Sequence, residues 1–170
     1  MPSFDVVIEP DLVELRNACE QANKEIATRF DFKGTSAHVD LAAAGGAGAK
    51  GREITIFGDS DFQLEQVREL LLTRLAKRGV DLRFLDFEAP PQKIGGDRLR
   101  WSVAVKSGID AEMARQVSTT LKTRKLRVQA AFQGDIVRVS GAKRDDLQAA
   151  IALLRRELTQ WPLSFENFRN

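Results

Sequence analysis

The chain has 170 residues, 43% hydrophobic and 29% charged, with a formal net charge of +2. That length holds one ordinary domain or two small ones. The faint basicity gives no whole-molecule attraction to nucleic acid or membrane, so any basic site must be local.

The single cysteine, Cys19, excludes an intrachain disulfide and sits at an apolar helical position, which reads as core. The start, Met1-Pro2-Ser3-Phe4-Asp5, has no basic stretch before an apolar run, so a secretory leader is not expected. No apolar stretch approaches the roughly 20 residues of a membrane span. The expectation is a cytoplasmic protein with no membrane partner.

In chain order, Phe4 to Ile8 reads as a strand, and Pro10 and Asp11 open a helix. Leu12, Leu15, Cys19, Ala22 and Ile26 give that helix one apolar stripe. Arg29-Phe30-Asp31-Phe32-Lys33 alternates charged and aromatic residues at strand period and predicts a strand running on towards Leu41. The glycine/alanine stretch 42–51 reads as a flexible hairpin loop. Glu53 to Gly58 predicts the returning strand. Ser60 with Gln63 has capping-box spacing, and Leu64, Val67, Leu71 and Leu75 form the next stripe, stopped by Gly79. Val80 to Phe87 is again strand-like.

Pro90-Pro91 and Gly95-Gly96 lie in a polar stretch that reads as a linker. Beyond it come a strand at Trp101 to Val105, a helix capped by Asp110, and strands at Lys125 to Gln133 and Ile136 to Ser140, joined at Gly134-Asp135. A helix from Lys143 to Leu158 and a strand from Pro162 to Phe168 close the chain.

The order is β-α-β-β-α-β, a linker, and β-α-β-β-α-β again. Residues repeat as well. Ile54-Thr55-Ile56-Phe57-Gly58 matches Val137-Arg138-Val139-Ser140-Gly141, and in that register Leu64, Leu70, Leu71 and Leu75 fall on Leu147, Leu153, Leu154 and Leu158. The pattern predicts an α+β chain of two tandem ferredoxin-like domains, each a four-stranded antiparallel sheet with two helices on one face. Their expected boundaries are 1–89, a linker at 90–100, and 101–170. The same pattern leaves open that the first or last strand crosses over to complete the other domain's sheet.

Little catalytic chemistry is visible, so no enzyme, metal or cofactor is expected. His38 is the only histidine and reads as solvent-facing. The glycines at 45, 46, 48 and 51 are not followed by the Lys-Ser/Thr helix start of a phosphate loop. Asp145-Asp146 reads as helix-start charge. Basic residues gather in the second half: Lys122, Arg124, Lys125, Arg127, Arg138, Lys143 and Arg144. If the hairpin forms, Arg127, Gln129 and Arg138 share its polar face, opposite Leu126, Val128, Val137 and Val139. Guanidinium groups there suit phosphate oxygens, and the same pattern also reads as a solvated face. Phe30 and Phe32 resemble the paired aromatics on which open sheets stack RNA bases, but both rings read as core.

Several segments, in order over essentially the whole chain, resemble the YajQ family. They include Met1-Pro2-Ser3-Phe4-Asp5-Val6-Val7, Arg29-Phe30-Asp31-Phe32-Lys33-Gly34, Lys77-Arg78-Gly79-Val80-Asp81, Lys125-Leu126-Arg127-Val128-Gln129, Lys143-Arg144-Asp145-Asp146-Leu147-Gln148 and Phe165-Glu166-Asn167-Phe168-Arg169. The resemblance implies a nucleotide-binding protein of two ferredoxin-like domains, with cyclic di-GMP the favoured ligand, GTP, ATP or RNA as others, and a transcription regulator as partner. It implies no catalytic residues. The residues expected to hold phosphate are Arg127, Arg138, Lys143 and Arg144, with Lys33 from the first domain, and Gln129 to read a base edge. A protein adaptor without nucleotide is the rival reading.

Overall fold

The computed structural model describes residues 1–43 and 51–170. Among them are nine strands and four α-helices: β1 (Ser3–Val7), α1 (Leu12–Thr28), β2 (His38–Ala43), β3 (Arg52–Gly58), α2 (Asp61–Lys77), β4 (Leu85–Asp86), β5 (Gln92–Ile94), β6 (Arg98–Val105), α3 (Ala111–Thr123), β7 (Gln129–Gln133), β8 (Ile136–Ser140), α4 (Arg144–Glu157) and β9 (Ser164–Arg169). Most of the hairpin loop expected at 42–51 lies outside the described residues.

The helices begin where side chains take up free backbone amides. Asp11 Oδ1 accepts from the amides of Val13 and Glu14, Ser60 Oγ accepts from that of Gln63, and Asp110 Oδ1 from that of Met113. Gln63 Oε1 in turn accepts from the Asp59 amide at 2.8 Å, completing a reciprocal cap. Gly79, at φ 76°, ends α2.

Two antiparallel sheets result, in the orders β7-β8-β1-β9 and β2-β3-β6-β4, with β5 also paired to β6. Two tandem ferredoxin-like units are therefore present, but not as consecutive segments. One is Met1–Glu9 with Gly108–Asn170; the other is Pro10–Ser107. The first strand of the chain, β1, fills the first-strand slot of the later unit. Strand β6 fills that slot in the earlier one. The boundaries expected at 89 and 101 are thus not where the chain divides, and the stretch expected as a linker is a hairpin. Gly95, Gly96 and Asp97 turn β5 onto β6, with positive φ at Gly96 and Asp97. A tight hairpin keeps β6 beside the sheet its own preceding strand belongs to. Trp101 anchors it there, its ring buried and its Nε1 donating to the Ala89 carbonyl at 2.8 Å.

In Pro10–Ser107, the stripes of α1 and α2 bury Leu15, Ala22, Ile26, Leu64, Val67 and Leu71, and the sheet buries Ile54, Ile56 and Val103. In the other unit Val117, Leu121, Leu147 and Leu154 from the helices are buried, as are Phe4, Val6, Val137 and Val139 from the strands.

The strand expected at Arg29 to Lys33 is instead a 3-10 turn, Phe30–Phe32, and strand pairing starts only at His38. The Arg29 guanidinium grips Asp31 two residues on, and Gly34 at φ 77° redirects the chain. Phe32 is 3% exposed and belongs to the core, whereas Phe30, expected beside it, is 89% exposed. A turn splits two rings that a strand would have kept on one face. The strand expected from Lys125 begins only at Gln129, because Lys125 takes a left-handed φ of 55°.

Candidate functional site

In the unit Met1–Glu9/Gly108–Asn170, one sheet face carries the buried apolar residues and the other carries polar side chains. Antiparallel register sets that polar face in rows. One row reads Gln129, Ser140, Ser3, Arg169, and the next Ala131, Arg138, Asp5, Glu166.

The second row is tightly committed. Arg138 donates to Asp5 through Nε at 2.9 Å and Nη2 at 3.3 Å, and Asn167 Nδ2 donates to the same carboxylate at 2.8 Å. Asn167 reaches Asp5 because β9 bulges there, with Asn167 at φ 55° and the register shifting between Ser3 and Asp5. Arg138 holds the Asp5 carboxyl below the usual carboxylate range, with help from Asn167, against the opposing effect of burial. Burial, with Glu9 and Asp5 nearby, pushes Glu166 up. The middle of the face is therefore neutral to acidic. Arg138, expected to grip phosphate, has its fork turned onto Asp5.

The basic residues gather instead at the end of the sheet marked by Ser3 and Ser140. Arg169 pairs with Ser3 there. Lys143 and Arg144 follow β8 through Gly141. Arg127 lies just before β7, its carbonyl only 3.1 Å from where a Cβ on Gly141 would stand. Arg144 Nη2 donates to Asn170 Oδ1. A cleft of about 190 Å³ opens at this end between α4 and the sheet, lined by Arg144, Leu147 and Gln148 of the helix and by Pro2, Ser3, Phe168, Arg169 and Asn170. Phe168 is 59% exposed, and its ring sits 5.9 Å from that of Phe4. Helix α4 starts at this end with no side chain capping its first amides. Such a helix start favours anions.

Of the residues singled out from sequence, Arg127, Gln129, Lys143 and Arg144 come to this end of one sheet. Arg138 is one row further in. Lys33 follows the 3-10 turn of the other unit and is exposed. Ser3, Gln148, Phe168, Arg169 and Asn170 were missed. Ser3 meets the residues of β9 only because β1 pairs with β9 from the opposite end of the chain, which no local pattern reveals. His38 is exposed as expected. It stacks on Phe57 at 4.2 Å, and its Nδ1 donates to the Ser36 carbonyl at 2.7 Å.

A protein-family model described as nucleotide-binding protein YajQ-like matches residues 2–169. The chain belongs to this family. The match runs from the first residues of β1 to the end of β9, so both units and the exchanged strands fall within it. The YajQ-like family is one of nucleotide-binding proteins. The cleft lies on the helix side of the sheet's end, between α4 and β9, with Arg144 and Arg169 in its walls. Among the described residues, no helix is long and apolar enough to cross a membrane.

Proposed function

We propose that this chain is a cyclic di-GMP effector that binds the dinucleotide in the cleft between Arg144 and Arg169 and acts through a partner transcription regulator. One observation carries the reading. Two guanidinium groups flank a cleft beside an exposed phenyl ring, at a helix start that no side chain caps. A cyclic dinucleotide offers two phosphodiesters and two purine rings. Guanidinium forks match the former, and Phe168 offers a surface on which a purine stacks. Gln129 stands in the same row, with Ser140 between it and Ser3, and is outside the lining of the cleft. Lys143 and Arg127 add positive charge around the mouth.

In this reading Arg138 is a positioning residue, which holds Asp5 and through it Asn167 and the β9 bulge that presents Phe168. The protein acts by binding and not by catalysis, so the dinucleotide is recovered intact after incubation.

The test is calorimetric titration with cyclic di-GMP, GTP, ATP and a single-stranded RNA series. Cyclic di-GMP should bind most tightly and less so as salt rises. Replacing both Arg144 and Arg169 by Ala should weaken it by about a hundredfold, the loss expected for two charge-assisted hydrogen bonds. Unchanged affinity in that variant would remove the site. Affinity that grows with oligonucleotide length would assign RNA instead.

A further inference from the structure

Strand β2 lies at the edge of its sheet, paired only to β3. An edge strand exposes a row of backbone donors and acceptors, and proteins ordinarily cover that row. Here the cover is partial. The Asn23 side chain, on α1, meets the outward backbone of Val39 as a neighbouring strand would. Its Nδ2 donates to the Val39 carbonyl at 2.9 Å, and its Oδ1 accepts from the Val39 amide at 2.9 Å. Strand period then turns the amides and carbonyls of Leu41 and Ala43 the same way. Among the described residues, nothing bonds to those outward groups.

A groove of about 420 Å³ runs along this stretch between α1 and β2. Leu12, Cys19 and Leu41 give it an apolar floor, and Arg16 and Glu20 stand on its helical wall. The two are one helical turn apart. Asn23 meets Val39 and α1 runs back along β2, so Glu20 is nearer the Val39 end and Arg16 nearer the Ala43 end. Among the described residues, neither is in an ion pair. The groove thus has a hydrogen-bonding edge, an apolar floor, and opposite charge at its two ends.

We propose that this groove takes an extended peptide of a partner protein, added antiparallel to β2 at Leu41 and Ala43. Only backbone in β conformation matches the alternating donors and acceptors of the edge. Antiparallel addition gives the straighter hydrogen bonds. The charge polarity fixes the side chains: an acidic residue opposite Ala43 meets Arg16. Two residues on, a basic residue opposite Leu41 lays its stem on the floor and reaches Glu20. Asn23 ends the added strand. The site is in Pro10–Ser107 and does not depend on the nucleotide reading.

The probe is the peptide acetyl-Val-Glu-Val-Lys-Val-amide, titrated into the full chain and followed by backbone amide NMR shifts. Saturable shifts centred on Leu41 and Ala43 are expected. They should be abolished when the Glu and Lys amides of the peptide are N-methylated. In the double variant Arg16→Glu/Glu20→Lys, preference should pass to acetyl-Val-Lys-Val-Glu-Val-amide by about tenfold. Absence of saturable shifts at Leu41 and Ala43, equal binding of the N-methylated peptide, or an unchanged preference in the double variant would each overturn the proposal.

Discussion

Asp5 is the residue on which the polar sheet face turns. Its side chain is 8% exposed, and it is held by Arg138 and Asn167. Its carboxyl is held below the usual range chiefly by Arg138. A carboxylate lowered on folding contributes stability that is fully present above its unfolded pKa of about 3.9. That contribution is lost as pH falls through the folded value, so the loss lies in the acid range below about pH 4. Urea unfolding of the wild type should show this decline. Asp5→Asn should start less stable at neutral pH, by about 1–3 kcal/mol for a buried network missing one charged acceptor. It should also depend less on pH below 4. An equal pH slope in the two proteins would mean that Asp5 carries no charge-dependent stability. Cys19 shows the contrasting effect of burial, which, with Asp40 and Glu20 nearby, pushes its thiol up to about 12 and keeps it neutral.

Among the elements, the helices were the most legible in sequence. Apolar stripes at helical spacing mark α1 and α2, Asp11, Ser60 and Asp110 mark the starts of α1 to α3, and α4 follows from the repeat of Leu147, Leu153 and Leu154. The Gly58/Gly141 register also has a physical cause. A Cβ at Gly58 would stand 3.2 Å from the Leu64 amide nitrogen, and one at Gly141 only 3.1 Å from the Arg127 carbonyl and 3.2 Å from Val128 Cγ1. In each copy a glycine admits a close neighbour, the first turn of α2 at Gly58 and the segment leading into β7 at Gly141. Gly141→Ala should therefore overpack this corner and cost about 1–3 kcal/mol in chemical denaturation. A cost near zero would show that the corner yields freely. The segment Arg29 to Lys33 was misread because five residues alternating in polarity cannot distinguish a strand from a 3-10 turn. The distinction came from Gly34 and the Arg29–Asp31 pair.

For the whole molecule, composition and periodicity reveal how many units there are but not which strands belong to each. Strands β1 and β6 both bury alternating apolar residues and both suit the same slot, so their sequences do not choose between sheets. The choice lies in chain connection: the Gly95-Gly96-Asp97 hairpin keeps β6 local, and β1 completes the remaining sheet. The cleft inherits this dependence. Arg127, Lys143 and Arg144 were legible as a basic run, whereas Ser3 and Arg169 join them only because β1 has crossed. Pro10–Ser107 is one of the two compact units, and the cleft proposed for the dinucleotide is lined by residues of the other. The direct test is to make segment 10–107 alone and compare it with the full chain by thermal unfolding and calorimetric titration with cyclic di-GMP. The account predicts that the segment melts cooperatively and gives no binding heat while the full chain binds saturably. A segment that does not fold, or one that binds the dinucleotide as the full chain does, would contradict it.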